Sequence, residues 1–142
     1  MKIFKYLLLI ATALPLATFA QCRSFTKSNC LPVLQGYVQN DNYNSAVLVP
    51  GDEAELLLTF YAGKDYRIVV CAQPRIGDVD YEITDTNQEL IHRGNTRDTN
   101  IFDFRMATTQ QLIVRIQVPE LTHETAIVPD GCVAVMVGYK QE

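Results

Sequence analysis

Residues 54–72 read A-E-L-L-L-T-F-Y-A-G-K-D-Y-R-I-V-V-C-A, and this stretch decides the fold. In its first half, Ala54 to Tyr61, Leu56, Leu58 and Phe60 alternate with polar or small neighbours such as Glu55 and Thr59. That period of two gives an extended strand one apolar face. The second half, Tyr66 to Ala72, is rich in β-branched residues and apolar on both faces, as in a strand covered on both sides. Ala62-Gly63-Lys64-Asp65 lies between them, and Gly63 is free to take a positive φ. The two halves are therefore expected to pair as a hairpin.

The same alternation continues toward the C-terminus. In Val79 to Thr84, Val79, Tyr81 and Ile83 point one way and Asp80, Glu82 and Thr84 the other. Asp85-Thr86-Asn87-Gln88 has turn composition, and Glu89 to Arg93 reads as a short return strand. Ile101 to Met106 turns Phe102, Phe104 and Met106 inward, and Gln111 to Val118 does the same with Leu112, Val114, Ile116 and Val118. Asp103 and Arg115 are expected to pair across these two strands. Pro119 to Asp130 is a longer connection, with an edge segment expected at Thr125 to Val128. Pro129-Asp130-Gly131 is a turn signal. Cys132 to Tyr139, C-V-A-V-M-V-G-Y, carries no charge and is expected to be a central strand.

Seven to eight short strands separated by turns predict an all-β fold, an antiparallel two-sheet β-sandwich of jelly-roll-like form. No segment after residue 20 shows sustained helical periodicity. Residues 21–44 have the least pattern, and Asn40 to Asn44 and Pro50-Gly51-Asp52 read as turns.

The N-terminus predicts export. Lys2 and Lys5 precede the apolar run Tyr6 to Leu14, Pro15 breaks it, and Thr18-Phe19-Ala20 offers small residues where a signal peptidase reads. Residues 1–20 are thus expected to be a signal peptide cleaved after Ala20. Residues 21–142 are expected to form a single β-sandwich domain, with 21–50 as a cysteine-bearing N-terminal segment. Removing 20 residues from 142 leaves 122, enough for a core. Both lysines leave with the signal, so the formal charge goes from −4 to −6. The acids are scattered, which fits a soluble surface. No basic stripe interleaves with aromatics, which argues against nucleic acid as a partner. No later apolar run reaches the roughly 20 residues of a membrane span. Gln21, just before Cys22, is not the small residue that lipid attachment to that cysteine requires. The expected location is secreted or periplasmic.

All four cysteines, Cys22, Cys30, Cys71 and Cys132, follow the cleavage site. An even count in an exported chain predicts disulfides, and four cysteines allow three connectivities. Sequence alone leaves the three open; the preferred set is Cys22 with Cys30 and Cys71 with Cys132, and the alternative is that Cys71 and Cys132 are buried thiols. Their spacings are not those of a zinc site, and there is no Cys-x-x-Cys redox motif.

No residue is marked as catalytic, cofactor-binding or metal-binding, and no cofactor is expected. His92 and His123, the two histidines, read as structural, and Ser24, Ser28 and Ser45 sit in no nucleophile elbow. Asp78, Asp80 and Asp85 form the one acidic cluster. An extended strand holds the outer two about 20 Å apart, at about 3.3 Å per residue, too far to share a calcium ion. They read as solvated carboxylates and turn residues. Tyr37, Tyr43 and Tyr61 are the aromatics available to a sugar-binding surface, and no Trp accompanies them.

The run Tyr61 to Glu89, with its "AGKDYRI" and "GDVDYEITDTNQEL" segments, is followed by "FDFRM" and "QLIVRIQV". In this order the segments resemble pre-peptidase C-terminal (PPC-like) and GOLD-like accessory β-sandwiches over about residues 54–139. The signal followed by Gln21 is similar to exported proteins of Gram-negative Bacteroidetes. The resemblance implies a non-catalytic accessory role and transfers no site residues; Cys71, Cys132 and the cysteine-bearing N-terminal segment depart from the usual form. The expected function is a non-enzymatic, macromolecule-binding or envelope-assembly module whose partner is another envelope or extracellular protein. The alternative is a carbohydrate- or calcium-binding module.

Overall fold

The structure, a computed structural model, describes residues 17–40 and 43–142. Most of the expected signal peptide (residues 1–16) lies outside the described residues, as do Asp41 and Asn42. The described strands are β1 (Val38–Gln39), β2 (Asn44–Leu48), β3 (Glu53–Phe60), β4 (Asp65–Ala72), β5 (Asp80–Asp85), β6 (Leu90–Asn95), β7 (Ile101–Arg105), β8 (Gln110–Gln117) and β9 (Gly131–Tyr139). One sheet has the order β1-β9-β4-β7, with β2 also paired to β9; the other has the order β3-β8-β5-β6. Every pairing is antiparallel. Setting β2-β9-β4-β7 against β3-β8-β5-β6 gives the connectivity of a jelly roll.

That topology corrects the expected hairpin. β3 pairs with β8 over eight residues, whereas β4 pairs with β9 and β7. The Tyr61–Lys64 turn therefore carries the chain from one sheet to the other. It is held by Gly63, at φ 81°, whose N–H donates to the Met106 carbonyl at 2.7 Å. The hairpin reading fails because β3 takes an edge of one sheet, beside β8, while β4 is central in the other, between β9 and β7. The expected Asp103–Arg115 pair fails for the same reason, since β7 and β8 belong to opposite sheets. Asp103 instead accepts from Arg67 at 2.7 and 2.8 Å, and Arg115 donates to Glu55 at 2.7 Å. Thr125 to Val128 forms no strand.

Two apolar clusters explain the sequence pattern. The larger lies between the sheets and includes Tyr66, Ile68, Val70, Val133, Val135 and Val137 from one, and Phe60, Tyr81, Ile83, Leu112 and Val114 from the other. The smaller lies on the opposite face of the β9–β4 sheet, where Val69, Cys71, Ala134 and Met136 meet Cys30 and Leu34. This second contact is why β4 and β9 are apolar on both faces.

The cover is the N-terminal segment, which is helical, contrary to the reading of residues 21–44 as patternless. Helix α1 (Ala17–Phe25) runs into a π-helical turn (Thr26–Cys30) and a 3₁₀ turn (Leu31–Leu34). Its buried stripe is Cys22, Thr26, Cys30 and Leu34, a spacing of four. In an α-helix each such step drifts by about 40°, and the wider π turn sets the stripe back onto the sheet. Thr26 satisfies its buried hydroxyl by donating to the Cys22 carbonyl at 2.7 Å.

Both disulfides join this segment to the sheet. Cys22 bonds to Cys132 at the start of β9, and Cys30 bonds to Cys71 on β4. Neither the preferred Cys22–Cys30 and Cys71–Cys132 pairing nor a pair of buried thiols at Cys71 and Cys132 is found. Cys71 and Cys132 share the outer face of their sheet with Val69, Ala134 and Met136, so each bonds upward to the covering segment. Cys22 therefore has no thiol left for a lipid. Arg67 adds a third tie: it grips Asp103, donates to the Val33 carbonyl at 3.0 Å and sits 4.5 Å from the Tyr37 ring centroid. The hydrogen bond from Arg67 holds the Asp103 carboxyl below its ordinary pKa.

At the β6–β7 side, a chain of rings closes the sandwich. His92 stacks on Phe102 at 4.2 Å, Phe102 on Phe104 at 5.0 Å, and Phe104 meets Phe60 at 5.2 Å. Burial pushes the His92 pKa below its ordinary value of 6.5. The unfolded chain then takes up this proton first as pH falls. Stability is full above about 6.5 and is lost progressively as pH drops to and through the lower folded value. Chemical denaturation at pH 7.5 and pH 5 is expected to show this loss in the native protein. In His92→Phe the slope should be smaller; an unchanged slope would assign it to other groups.

Candidate protein-binding surface

Residues 119–130, between β8 and β9, form a twelve-residue connection with no strand or helix. Loops of this length without regular structure are uncommon in compact folds and often functional. Both ends are anchored. At one end the Gly51 N–H donates to the Val118 carbonyl and the Val118 N–H to the Asp52 carbonyl, each at 2.9 Å. At the other, Asp130 meets Arg75 at 3.6 Å, and the Cys132 N–H donates to the Gln73 side chain at 2.8 Å. Between these anchors almost every residue is exposed. Ile127 is 84% and Val128 59% exposed, and Leu121, six residues earlier, is exposed as well. The Thr125 hydroxyl donates to the Ile127 carbonyl at 2.9 Å, which shapes the bend that presents the two apolar side chains. The loop is thus tied at both roots and holds two adjacent branched aliphatic side chains in water.

The residues singled out from the sequence are dispersed. Asp78 pairs with Arg97 at 2.6 Å, Asp80 accepts from Asn95 at 2.6 Å, and Asp85 accepts the N–H groups of Asn87 and Glu89 at 2.8 and 2.9 Å. Each carboxylate thus has its own partner, two on strand or loop surfaces and one in a turn. Among the described residues, no three His, Cys, Asp or Glu side chains are grouped to hold a metal ion. His92 shares a 3.4 Å contact with the Tyr81 hydroxyl, and His123 a 3.1 Å contact with its neighbour Thr122. Ser24 and Ser28 are exposed on the helical segment and Ser45 on β2. Tyr37 lies beneath Arg67, and Tyr43 packs against the smaller cluster, while Tyr61 is exposed at the β3–β4 turn. The three tyrosines make no common platform.

The outer face of the β3-β8-β5-β6 sheet carries a ladder of alternating charge. Glu55, Arg115, Glu82 and Arg93 lie opposite one another across four strands. Arg115 bonds Glu55 and Arg93 bonds Glu82. Exposed pairs of this kind contribute only about 0–1 kcal/mol each, and they leave this face polar and self-satisfied. Ile127 and Val128 belong to the segment expected as an edge strand, and the structure leaves them in an exposed loop instead.

No family model and no curated protein matches the chain. Solved structures do. The crystal structure of Aeromonas hydrophila PliG, described as a periplasmic lysozyme inhibitor of g-type lysozyme, aligns with a TM-score of 0.51 at 9% identity, over 75% of this chain and 90% of that one. A de novo designed double-stranded β-helix solved by NMR aligns with a TM-score of 0.35 at 15% identity, over 70% of this chain and 99% of that one. The likeness to PliG is one of fold, an all-β sandwich. Among the described residues no helix is long and apolar enough to cross a membrane.

Proposed function

We propose that this chain is an exported, non-catalytic module that binds a protein partner through the loop 119–130. The observation that carries the reading is the exposure of Ile127 and Val128 on a loop rooted at both ends. Export is supported by the N-terminal sequence and by the two disulfides, since such bonds persist in oxidising compartments. The resemblance to PPC-like accessory sandwiches points to the same kind of role. The fold shared with PliG makes a g-type lysozyme the first partner to test.

The experiment is a titration of disulfide-intact residues 21–142 against a g-type lysozyme, reading both heat of binding and the rate of cell-wall lysis. Binding with slowed lysis is expected. Substituting Ile127→Ser and Val128→Ser together should weaken it at least about tenfold, as for apolar residues central to an interface. Binding that ignores both substitutions would move the interface away from this loop. Absence of binding would remove lysozyme as the partner.

A further inference from the structure

We propose that β3 is a dimerisation edge: it pairs antiparallel with β3 of a second copy, about a two-fold axis through Leu57. This goes beyond the reading of the loop and does not depend on it.

The four edges of the sandwich differ in how they are guarded. The β1/β2 edge is broken into two short pieces along β9. The register of β6 on β5 is broken between Ile83 and Thr84 of β5, and β6 carries Arg93 bonded to Glu82. β7 has five residues, two of them Asp103 and Arg105, each ion-paired back to β4. β3 has eight residues and contains no proline, lysine or bulge. Its charged residues, Glu53 and Glu55, lie in its first three positions, and Glu55 is held back on Arg115 of β8; from Leu56 to Phe60 the edge carries no charge, and uncharged edges are templates for another strand. β3 also holds three successive leucines. Leu57 is 55% exposed on the outer face, and Leu56 and Leu58 are only half-buried on the inner one. A groove of about 670 Å³ runs beside this edge, lined in part by Leu57, Leu58, Tyr61, Lys64 and Tyr139.

The sequence of β3 is complementary to itself in this register. Leu57 faces Leu57 of the second copy, Leu56 faces Leu58, and Ala54 faces Phe60. All opposite residues share a face of the sheet, as pairing requires. Glu55 meets Thr59, and Glu53 meets Tyr61 close to the turn that carries Lys64. No carboxylate stands directly opposite another. The half-buried Leu56 and Leu58 then gain a cross-strand neighbour each, and two four-stranded sheets become one continuous sheet.

Sedimentation equilibrium on disulfide-intact residues 21–142 is expected to give twice the chain mass, dissociating on dilution. Leu57→Lys sets two ammonium groups opposite each other and should raise the dimer dissociation constant at least about tenfold. Its melting curve should match that of the diluted native monomer, because Leu57 is exposed. A second pair of variants reads the contact without added charge. Leu57→Cys should form an intermolecular disulfide on mild oxidation, and Leu90→Cys on the exposed β6 edge should not. A single-chain mass for the native protein at all concentrations overturns the proposal. So does a dimer that survives Leu57→Lys, or equal cross-linking by both cysteine variants.

Discussion

Reduction of the Cys22–Cys132 and Cys30–Cys71 bridges is expected to cause the largest loss of stability available without touching the main core. The bridges span 110 and 41 residues. In the chain-entropy model, closing a loop of the longer size contributes about 4.7 kcal/mol. The shorter loop is nested inside the longer one, so the two contributions do not add. The effect also has a native-state part. The bridges hold a helical segment with few large apolar residues of its own over Val69, Ala134 and Met136. Once released, that segment leaves the outer face of β4 and β9 open to water, on a sheet built to be covered on both sides. Thermal melts with and without reductant should differ by more than about 10 °C, and the reduced form should bind a hydrophobic dye. Cys30→Ser with Cys71→Ser should reproduce part of this loss. Melting points within about 2 °C of one another would mean that packing alone retains the segment. A non-reduced tryptic map tests the connectivity directly, because Arg23 and Lys27 put Cys22 and Cys30 on separate peptides. The Cys22 peptide should travel with that of Cys132.

Phe60→Ala is expected to cost about 3–5 kcal/mol, the range for deleting a buried phenylalanine side chain. Phe60 is 1% exposed, and its ring meets Tyr66 edge-on at 4.9 Å and Phe104 at 5.2 Å. It is the point where the last residue of β3 reaches across to the aromatic chain of the opposite sheet. The Tyr66 hydroxyl accepts the Tyr61 N–H at 2.9 Å and braces the turn between the two sheets. The cavity left by alanine therefore opens under a corner that the fold depends on. A fall in Tm of more than about 10 °C should follow. Tyr61→Ala, one residue on and exposed, should stay within about 0.5 kcal/mol of the native protein. Equal losses in the two variants would show that the turn, and not the ring cluster, carries the effect.

The strands from Glu53 onward were legible because period-two alternation is a local property, written residue by residue by the face each side chain takes. β5, β7, β8 and β9 lie within a residue or two of their expected bounds. Their partners were not legible. Nothing in A-E-L-L-L-T-F-Y says that it pairs with Gln110–Gln117 and not with the strand that follows it. The N-terminal helix is not legible in the sequence because its buried stripe contains two cysteines and a threonine, which read as disulfide and turn residues and not as an apolar face. Spacing of four at Cys22, Thr26, Cys30 and Leu34 was the available sign. Ile127 and Val128 read from sequence as a short edge strand, and only their exposure in the structure separates that from a loop tip.

By itself, the sequence determined that this chain is built of short antiparallel strands, that two of them are covered on both faces, and that its cysteines are suited to an oxidising compartment. Those follow from period, composition and count. Tertiary structure alone decided which sheet each strand joins, which cysteines meet, and which apolar residues are left in water. Such outcomes depend on what lies across the sheet or above it, and a strand's own residues cannot specify the chemistry of a neighbour more than a hundred positions away.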